Sequence, residues 1–520
     1  MTLEEIDNRL LERFSKGFEK LSSIPNPAVL KDSEKGAERV AQAIKSGERI
    51  TLIGDYDVDG VTSSAITHLF FQEIGHPIEV VIPNRFKDGY GITPKLLERV
   101  DSDLIITADN GIHAHKSAEI LKSRGVDLII TDHHNPSDTL PDAYAVINPK
   151  QTDCPYPLKA ICGAEVIWLF LAVVKRKLNI NIDMMQYLDL LAVATISDVM
   201  PITDINHTIV KKGLQLFSKS KRASNQVMIT TLLSKEQITA EDIAFQVAPR
   251  LNSSGRIEDA SLSFRFLTAQ NYDEALQLFE RINRLNTERK ELEKSIFNRV
   301  VESINSDDEL LLYYGDDLHE GVIGIVASRL VDKFSKPAIV FSLSNGVLKG
   351  SGRSLGNVDI FKTIAKAEHL LLKWGGHKMA GGLSLNLSNF EEFKSIVISE
   401  VKNYSKEDFF SQTETFGEIS FKDIGNNLIE VLNKYEPYGE SNQKPIFLAK
   451  DVEVVEMRQI GKKREFLKIF VEKESTELEV LIFQSGIEID VGEIISFEYT
   501  VQTSYYRDKM EIKGLLKRLI

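Results

Sequence analysis

At 520 residues the chain is too long for one hydrophobic core, so roughly three or four domains of about 100–200 residues are expected. With 42% hydrophobic and 27% charged residues it has a soluble composition; no apolar run reaches the roughly 18 residues of a bilayer span, and the acidic amphipathic start MTLEEIDNRLLERF is unlike a secretory signal, so a cytoplasmic protein with no membrane association is expected. A net charge of −13 excludes a surface that is basic throughout, but an acidic protein can still line one channel with Lys and Arg for a nucleic acid.

Residues 1–48 read as a helical segment, with Pro25 and Pro27 breaking the pattern ahead of an amphipathic stretch from Ser33 to Lys45. From 49 to 210 short β-branched runs alternate with helical stretches: Ile50–Ile53, Val80–Ile82, Leu104–Thr107, Leu128–Thr131 and Ala145–Ile147. That alternation predicts an α/β fold, a parallel sheet with helices on its faces. Cys154 and Cys162 lack metal-site or CxxC spacing and read as reduced thiols. Residues 211–300 are predicted to be a helical connector, ending in a long charged helix over Asn271–Val301. A smaller α/β domain is expected over 301–404, with strands near Leu310–Tyr314, Ala338–Ser342 and Leu383–Leu387. The stretch 405–520 alternates in β fashion through Val452–Val455, Phe466–Val471, Leu478–Phe483 and Ile494–Val501, with turns at Gly461, Gly486 and Gly492, which predicts a small antiparallel barrel.

The strongest local signal is Gly54-Asp55-Tyr56-Asp57-Val58-Asp59-Gly60, directly after the first strand. Alone it would be an ordinary Asp/Gly turn. The pattern recurs, however: Leu104–Thr107 runs into Ala108-Asp109-Asn110-Gly111, Leu128–Thr131 into Asp132-His133-His134, and the apolar stretch Leu188–Ile196 into Ser197-Asp198. A parallel sheet would bring Asp57, Asp59, Asp109, His133 and Asp198 to one edge, where such sheets bind ligands. Carboxylates crowded in one cleft repel one another, and divalent cations resolve that conflict; oxygen and imidazole donors suit Mn2+, with Mg2+ as the alternative.

In this order, these turns resemble those of the DHH phosphoesterases. Further strings resemble the RecJ exonucleases of that superfamily: Pro83-Asn84-Arg85 with Gly89-Tyr90-Gly91, Pro249-Arg250-Leu251-Asn252 with Gly255-Arg256, the segment from His319 to Arg329, Gly350-Ser351-Gly352-Arg353-Ser354, and Gly375-Gly376-His377-Lys378-Met379-Ala380-Gly381-Gly382, which marks a DHHA1 domain. The resemblance implies a DHH catalytic domain over 49–210, a DHHA1 domain over 301–404 and an OB-like nucleic-acid-binding β-barrel over 405–520. It implies two metal ions held by Asp57, Asp59, Asp109, His133 and Asp198, with Asp109 as the bridge and His134 contacting the scissile phosphate. The chain departs from the family in having Ile53 where many relatives place a histidine ligand, so Asp55 or water is expected to fill that gap. Leu318 stands where tryptophan is frequent, and His207 where arginine is frequent.

By the same resemblance, Arg85, Arg250, Asn252, Arg256, His319, Ser351, Arg353 and His377 face the cleft. Guanidinium groups suit a doubly charged terminal phosphate, and glycines beside Ser351 and Arg353 let backbone amides approach it. The implied activity is 5′→3′ degradation of single-stranded DNA to 5′-mononucleotides in repair and recombination, with a single-strand-binding protein and a helicase as partners. In the barrel, Arg458, Lys462, Lys463, Arg464, Tyr505, Tyr506 and Arg507 offer charge and stacking surface for the strand. The rival readings are an oligonucleotide or cyclic-dinucleotide phosphodiesterase, which has no need of the barrel, and an inactive replication partner, which would not retain every carboxylate and both histidines.

Overall fold

The β-branched runs form β1 (Ile50–Ile53), β2 (Glu79–Val81), β3 (Leu104–Ala108), β4 (Asp127–Thr131) and β5 (Ala145–Ile147), joined as a parallel sheet of order β2-β1-β3-β4-β5. The structure, a computed structural model, describes residues 1–520 apart from 236, 411–413, 462, 463, 465, 484–486, 507 and 508. The predicted contacts Lys462, Lys463 and Arg507 and the predicted turn at Gly486 lie outside the described residues, as do the side chains of Tyr505 and Tyr506.

β1 and β3 are buried along their whole length, as a parallel sheet covered on both faces requires. Helices Ser33–Ser46, Val58–Glu73 and Gly163–Leu178 cover one face through Val40, Phe70 and Phe170, while helix His115–Ser123 covers the other with Ala118 and Leu121 against Ile105 and Ile130. Ile53 pairs with Thr107, and Ala108 with Thr131, so β1, β3 and β4 end level with one another.

Hydrophobic contacts do not part at 48 or at 210. Helix Leu3–Leu11 buries Ile6 and Leu10 against Phe416, Leu428 and Tyr435 of the C-terminal region, while Ser33–Ser46 packs on the first sheet. Connector helices Ala248–Ile257 and Ser261–Leu267 place Leu251 and Phe266 in the same core as that sheet, because each has an apolar side that only a neighbouring core can bury.

Helix Tyr272–Ser303, capped by Asn271, runs 32 residues, about 48 Å at the usual rise. It starts in the first core through Ala275, Phe279 and Ile282 and ends in another through Ile296, Phe297 and Val300. There β6 (Leu311–Gly315), β7 (Ala338–Ser344), β8 (Val347–Arg353), β9 (Leu371–His377) and β10 (Ala380–Asn386) form a mixed sheet of order β6-β7-β8-β10-β9. Beyond it, β11 (Thr415–Glu418) joins β12 (Ile446–Ile460), β13 (Phe466–Lys473), β14 (Thr476–Ile482), β15 (Ile494–Tyr506) and β16 (Lys509–Leu519). The order β11-β12-β13-β14-β16-β15, with β12 also paired to β15, closes a barrel of the expected OB type. Among the described residues, no helix is long and apolar enough to cross a membrane.

Candidate active site

In the order β2-β1-β3 the strand order reverses beside β1, and in parallel sheets the crevice beyond the strand ends at that reversal binds ligands. Each strand end there delivers a carboxylate. After β1, Asp57 caps helix Val58–Glu73, its side chain accepting from Gly60 N–H at 3.1 Å. After β3, Asp109 adopts a left-handed φ of 64°, and Asn110 holds the turn by donating to the carbonyls of Ile53 (3.0 Å) and Ala108 (2.9 Å). After β4, Asp132 accepts from the backbone N–H groups of His133 (2.7 Å), His134 (3.0 Å) and Ile112 (2.9 Å). Asp198 follows helix Leu188–Ser197.

These side chains meet. His133 Nε2 lies 3.2 Å from Asp109, 3.5 Å from Asp198 and 3.8 Å from Asp59. Ligand atoms of Asp59, His133 and Asp198 lie within 4.8 Å of one another, as do those of Asp55, Asp57 and Asp109, so Asp109 stands between two groups. Asp59 is held by the N–H groups of Gly163 (2.6 Å) and Ala164 (2.8 Å), at a helix N-terminus suited to an anion. Gly163 must lack a side chain there, since a Cβ would stand 2.5 Å from Asp109.

By themselves these side chains are electrostatically frustrated. Burial first, and then the charge of Asp57, push Asp59 up to about 7; burial, then Asp59 and Asp57, push Asp198 up to about 9. Asp109 and Asp55 rise well above the carboxylate range for the same reasons. Burial, and then His134, press His133 down to about 3, which leaves a neutral imidazole fit for coordination. Oxygens of Asp55, Asp109 and Asp198 are buried with no hydrogen-bond partner. Orphaned carboxylate oxygens facing a neutral imidazole fit hard or borderline divalent cations.

His134 differs. Burial alone would lower it, but its Nδ1 contact of 2.8 Å with Asp132 and the charges of Asp132, Asp57 and Asp55 outweigh that and raise it to about 9. With Nδ1 committed to Asp132, its Nε2 is left for a substrate. Ile53 points into the core beside Ile92 and Leu96, so it offers nothing to the site, while Asp55 stands with Asp57 and Asp109.

On the opposite wall, Arg353 donates to Ser351 Oγ at 2.9 Å, and Arg256 donates to the Gly321 carbonyl at 3.2 Å. Arg85 lies 3.9 Å above the Tyr56 ring and donates to the Gly255 carbonyl at 3.3 Å. Burial, and then Arg85, Arg353 and Arg289, push Arg256 down to about 10, against the charge of Asp57: several guanidinium groups are gathered there. His319 packs edge-on against Phe86 at 5.2 Å and feels Arg85. His377 ends β9 within electrostatic reach of His134 and Lys150. Asn252 lines a cavity of about 640 Å³ with Ser197, Arg256, Arg289, Phe245 and Tyr438. Arg250 is not brought to this cluster; its guanidinium is taken up by Asn283 Oδ1 and the Gln246 carbonyl, both at 2.7 Å, and braces the connector.

Sequence reasoning missed Asp132 as the group that sets His134, Gly163 as the space beside Asp109, Lys150, which feels Asp198 and Asp132, and Arg289. Asp132 adjoins both histidines and could have been found as their orienting carboxylate. Gly163 and Arg289 carry no local signal.

The DHH family N-terminal domain matches residues 49–195, the DHHA1 domain 307–403 and the RecJ OB domain 417–518. The chain is 33% identical over 473 residues to the single-stranded-DNA-specific exonuclease RecJ of Bacillus subtilis, covering 89% of this chain but 59% of that protein. To the RecJ of Salmonella typhimurium it is 32% identical over 497 residues, covering 89% of this chain and 84% of that one. The chain belongs to the RecJ family. The crystal structure of RecJ from Thermus thermophilus in complex with Mn2+ superposes with a TM-score of 0.82 at 27% identity, over 96% of this chain and 73% of that one. A structure of the same RecJ in complex with Mg2+ matches with a TM-score of 0.76 at 25% identity, over 95% of this chain and 71% of that one.

Proposed function

We propose that this RecJ-family chain is a cytoplasmic exonuclease that hydrolyses single-stranded DNA from its 5′ end, releasing 5′-mononucleotides for repair and recombination. The observation that carries this reading is the two-walled cleft: carboxylates and His133 on the first sheet with Arg85 beside them over Tyr56, and Arg256 and Arg353 across from them. Asp57, Asp59, Asp109, His133 and Asp198, with Asp55 in place of the missing histidine, would hold two divalent ions, Mn2+ or Mg2+. When bound, these supply positive charge at the phosphoryl oxygens and acidify a water.

The chain's own groups do the rest. Ser351 and Arg353 grip the terminal phosphate, and Arg85 and Arg256 neutralise it. His134, held by Asp132, donates from Nε2 to the scissile phosphate and stabilises charge as it builds. Water adds to phosphorus, the bond to the 3′-oxygen of the first nucleotide breaks, and that oxygen takes a proton. The remaining strand again begins with a phosphate, and digestion can repeat. Downstream nucleotides fit the 640 Å³ cavity beside Ser197, where Phe245, exposed to 77%, can stack on bases. Arg458 and Arg464 of the barrel extend that path, and a single-strand-binding protein and a helicase are the partners such an activity calls for.

The test is digestion of end-labelled single strands and blunt duplexes, with and without a 5′-phosphate, in EDTA, Mg2+ or Mn2+. Release of labelled mononucleotide from 5′-phosphorylated single strands in metal alone is expected. Degradation from the 3′ end, or equal rates on blunt duplex, would refute the reading.

A further inference from the structure

Glu165 is 2% exposed, one turn into helix Gly163–Leu178, and takes no part in the cleft. Its Oε1 lies 2.8 Å from Thr195 Oγ1, on the helix that ends immediately before Asp198. The same hydroxyl lies 2.8 Å from the Leu191 carbonyl and 3.7 Å from Cys162 Sγ. A threonine hydroxyl has one proton to give and two lone pairs. That proton is shared between Glu165 Oε1 and the Leu191 carbonyl, which both accept, and the Cys162 thiol can fill a lone pair of the hydroxyl. Burial pushes the Glu165 carboxyl up to about 8.

The bridge has a place in the site. The helix that carries Glu165 begins with the N–H groups of Gly163 and Ala164 that hold Asp59, and Thr195 lies three residues before Asp198. We infer that Glu165 is a positioning residue, a buried carboxyl group that accepts from Thr195 and so ties the helix holding Asp59 to the helix delivering Asp198 and fixes the spacing of that ligand group. The inference rests on the metal-site reading above.

The experiment uses the full-length protein and Mn2+ as the probe, with calorimetric titration of the wild type, Glu165→Gln, Glu165→Leu and Thr195→Val. Glu165→Gln keeps an acceptor oxygen for Thr195 and is expected to bind Mn2+ within about twofold of the wild type, whereas Glu165→Leu and Thr195→Val weaken binding by about 10–100-fold, the usual loss when a ligand's support is removed. Nuclease activity of the weakened variants should return at higher Mn2+, which a merely structural defect would not allow. Should Glu165→Leu fail to fold, Thr195→Val carries the same expectation with little change of volume. The inference is overturned if Thr195→Val binds Mn2+ like the wild type, or if Glu165→Gln binds as weakly as Glu165→Leu. A wild type that binds no Mn2+ would overturn the metal reading and this one with it.

Discussion

Asp109 carries two conflicting loads, a left-handed backbone and a buried charge among Asp55, Asp57, Asp59 and Asp198. Asparagine tolerates that backbone and has nearly the same shape, but cannot carry the charge. Asp109→Asn is therefore expected to abolish cleavage and weaken Mn2+ binding, while raising the melting temperature measured in EDTA because one repelling carboxylate is gone. Calorimetry and nuclease assays check this, and near-normal turnover would sink the bridging assignment. Arg353 belongs to the other wall. Arg353→Ala should cost roughly 1.5–3 kcal/mol of productive binding to 5′-phosphorylated strands, the value of a charge-assisted hydrogen bond, with less loss on 5′-hydroxyl strands and no loss of metal. A variant that keeps its phosphate preference would displace the terminal phosphate from this pocket. These carboxylates and histidines were legible because a charged or polar residue directly after an apolar strand has few structural reasons to be there. Arg250 was misleading because a guanidinium that serves a connector and one that serves a phosphate look alike in sequence; Asn283, which takes it up, lies 33 residues away.

At the scale of elements, helix Gly163–Leu178 does more for the site than its residues announce. Its first N–H groups hold Asp59, its first residue clears space for Asp109, and Glu165 ties it to the neighbouring helix. Gly163→Ala would force a Cβ within 2.5 Å of Asp109 as the structure stands, so either the helix or the ligand must shift. A displacement near 1 Å typically costs about 100-fold in rate, and a loss of that order, with the helical content of the protein unchanged by circular dichroism, is expected. Full activity in Gly163→Ala would show that the helix is free to move. Strands β1, β3 and β4 were readable because continuous Ile, Leu and Thr runs bounded by Asp and Gly describe buried parallel strands. β8 and β9 were not, because Gly350, Gly352, Gly375 and Gly376 depress strand propensity where the chain approaches the cleft. Helix Leu3–Leu11 was visible as amphipathic, but an apolar stripe does not say which core it joins, and it joins the far one.

Across the whole molecule, the first and last parts of the chain meet the catalytic core at one joint. His207, 2% exposed, sits among Phe14, Phe18 and Tyr435, with ring centroids 5.0 Å from Phe14 and 5.4 Å from Phe18, and donates from Nε2 to the Tyr435 carbonyl at 3.3 Å. Phe14 and Tyr435 belong to the C-terminal core, while His207 lies on a helix of the first core. Nearby, Ile202 donates its N–H to the Glu440 carbonyl at 2.7 Å. Burial, then the charge of Lys211, press His207 down to about 4, against hydrogen bonds to the backbone of Tyr435 and Glu436 that act the other way. The unfolded chain takes up this proton near 6.5 and the folded joint only near 4, so the joint's stability is fully present above about pH 6.5 and is lost as the pH falls towards 4. At 1.36 kcal/mol per pH unit the loss amounts to about 3 kcal/mol. His207→Gln keeps an N–H donor and cannot titrate. Urea unfolding at pH 7 and pH 4.5 should therefore show the wild type losing more stability than His207→Gln, by about 2–3 kcal/mol, with cleavage at pH 7 similar in both. Equal losses in the two proteins would mean that the joint opens in acid for another reason, and that the histidine is only filling space among the rings.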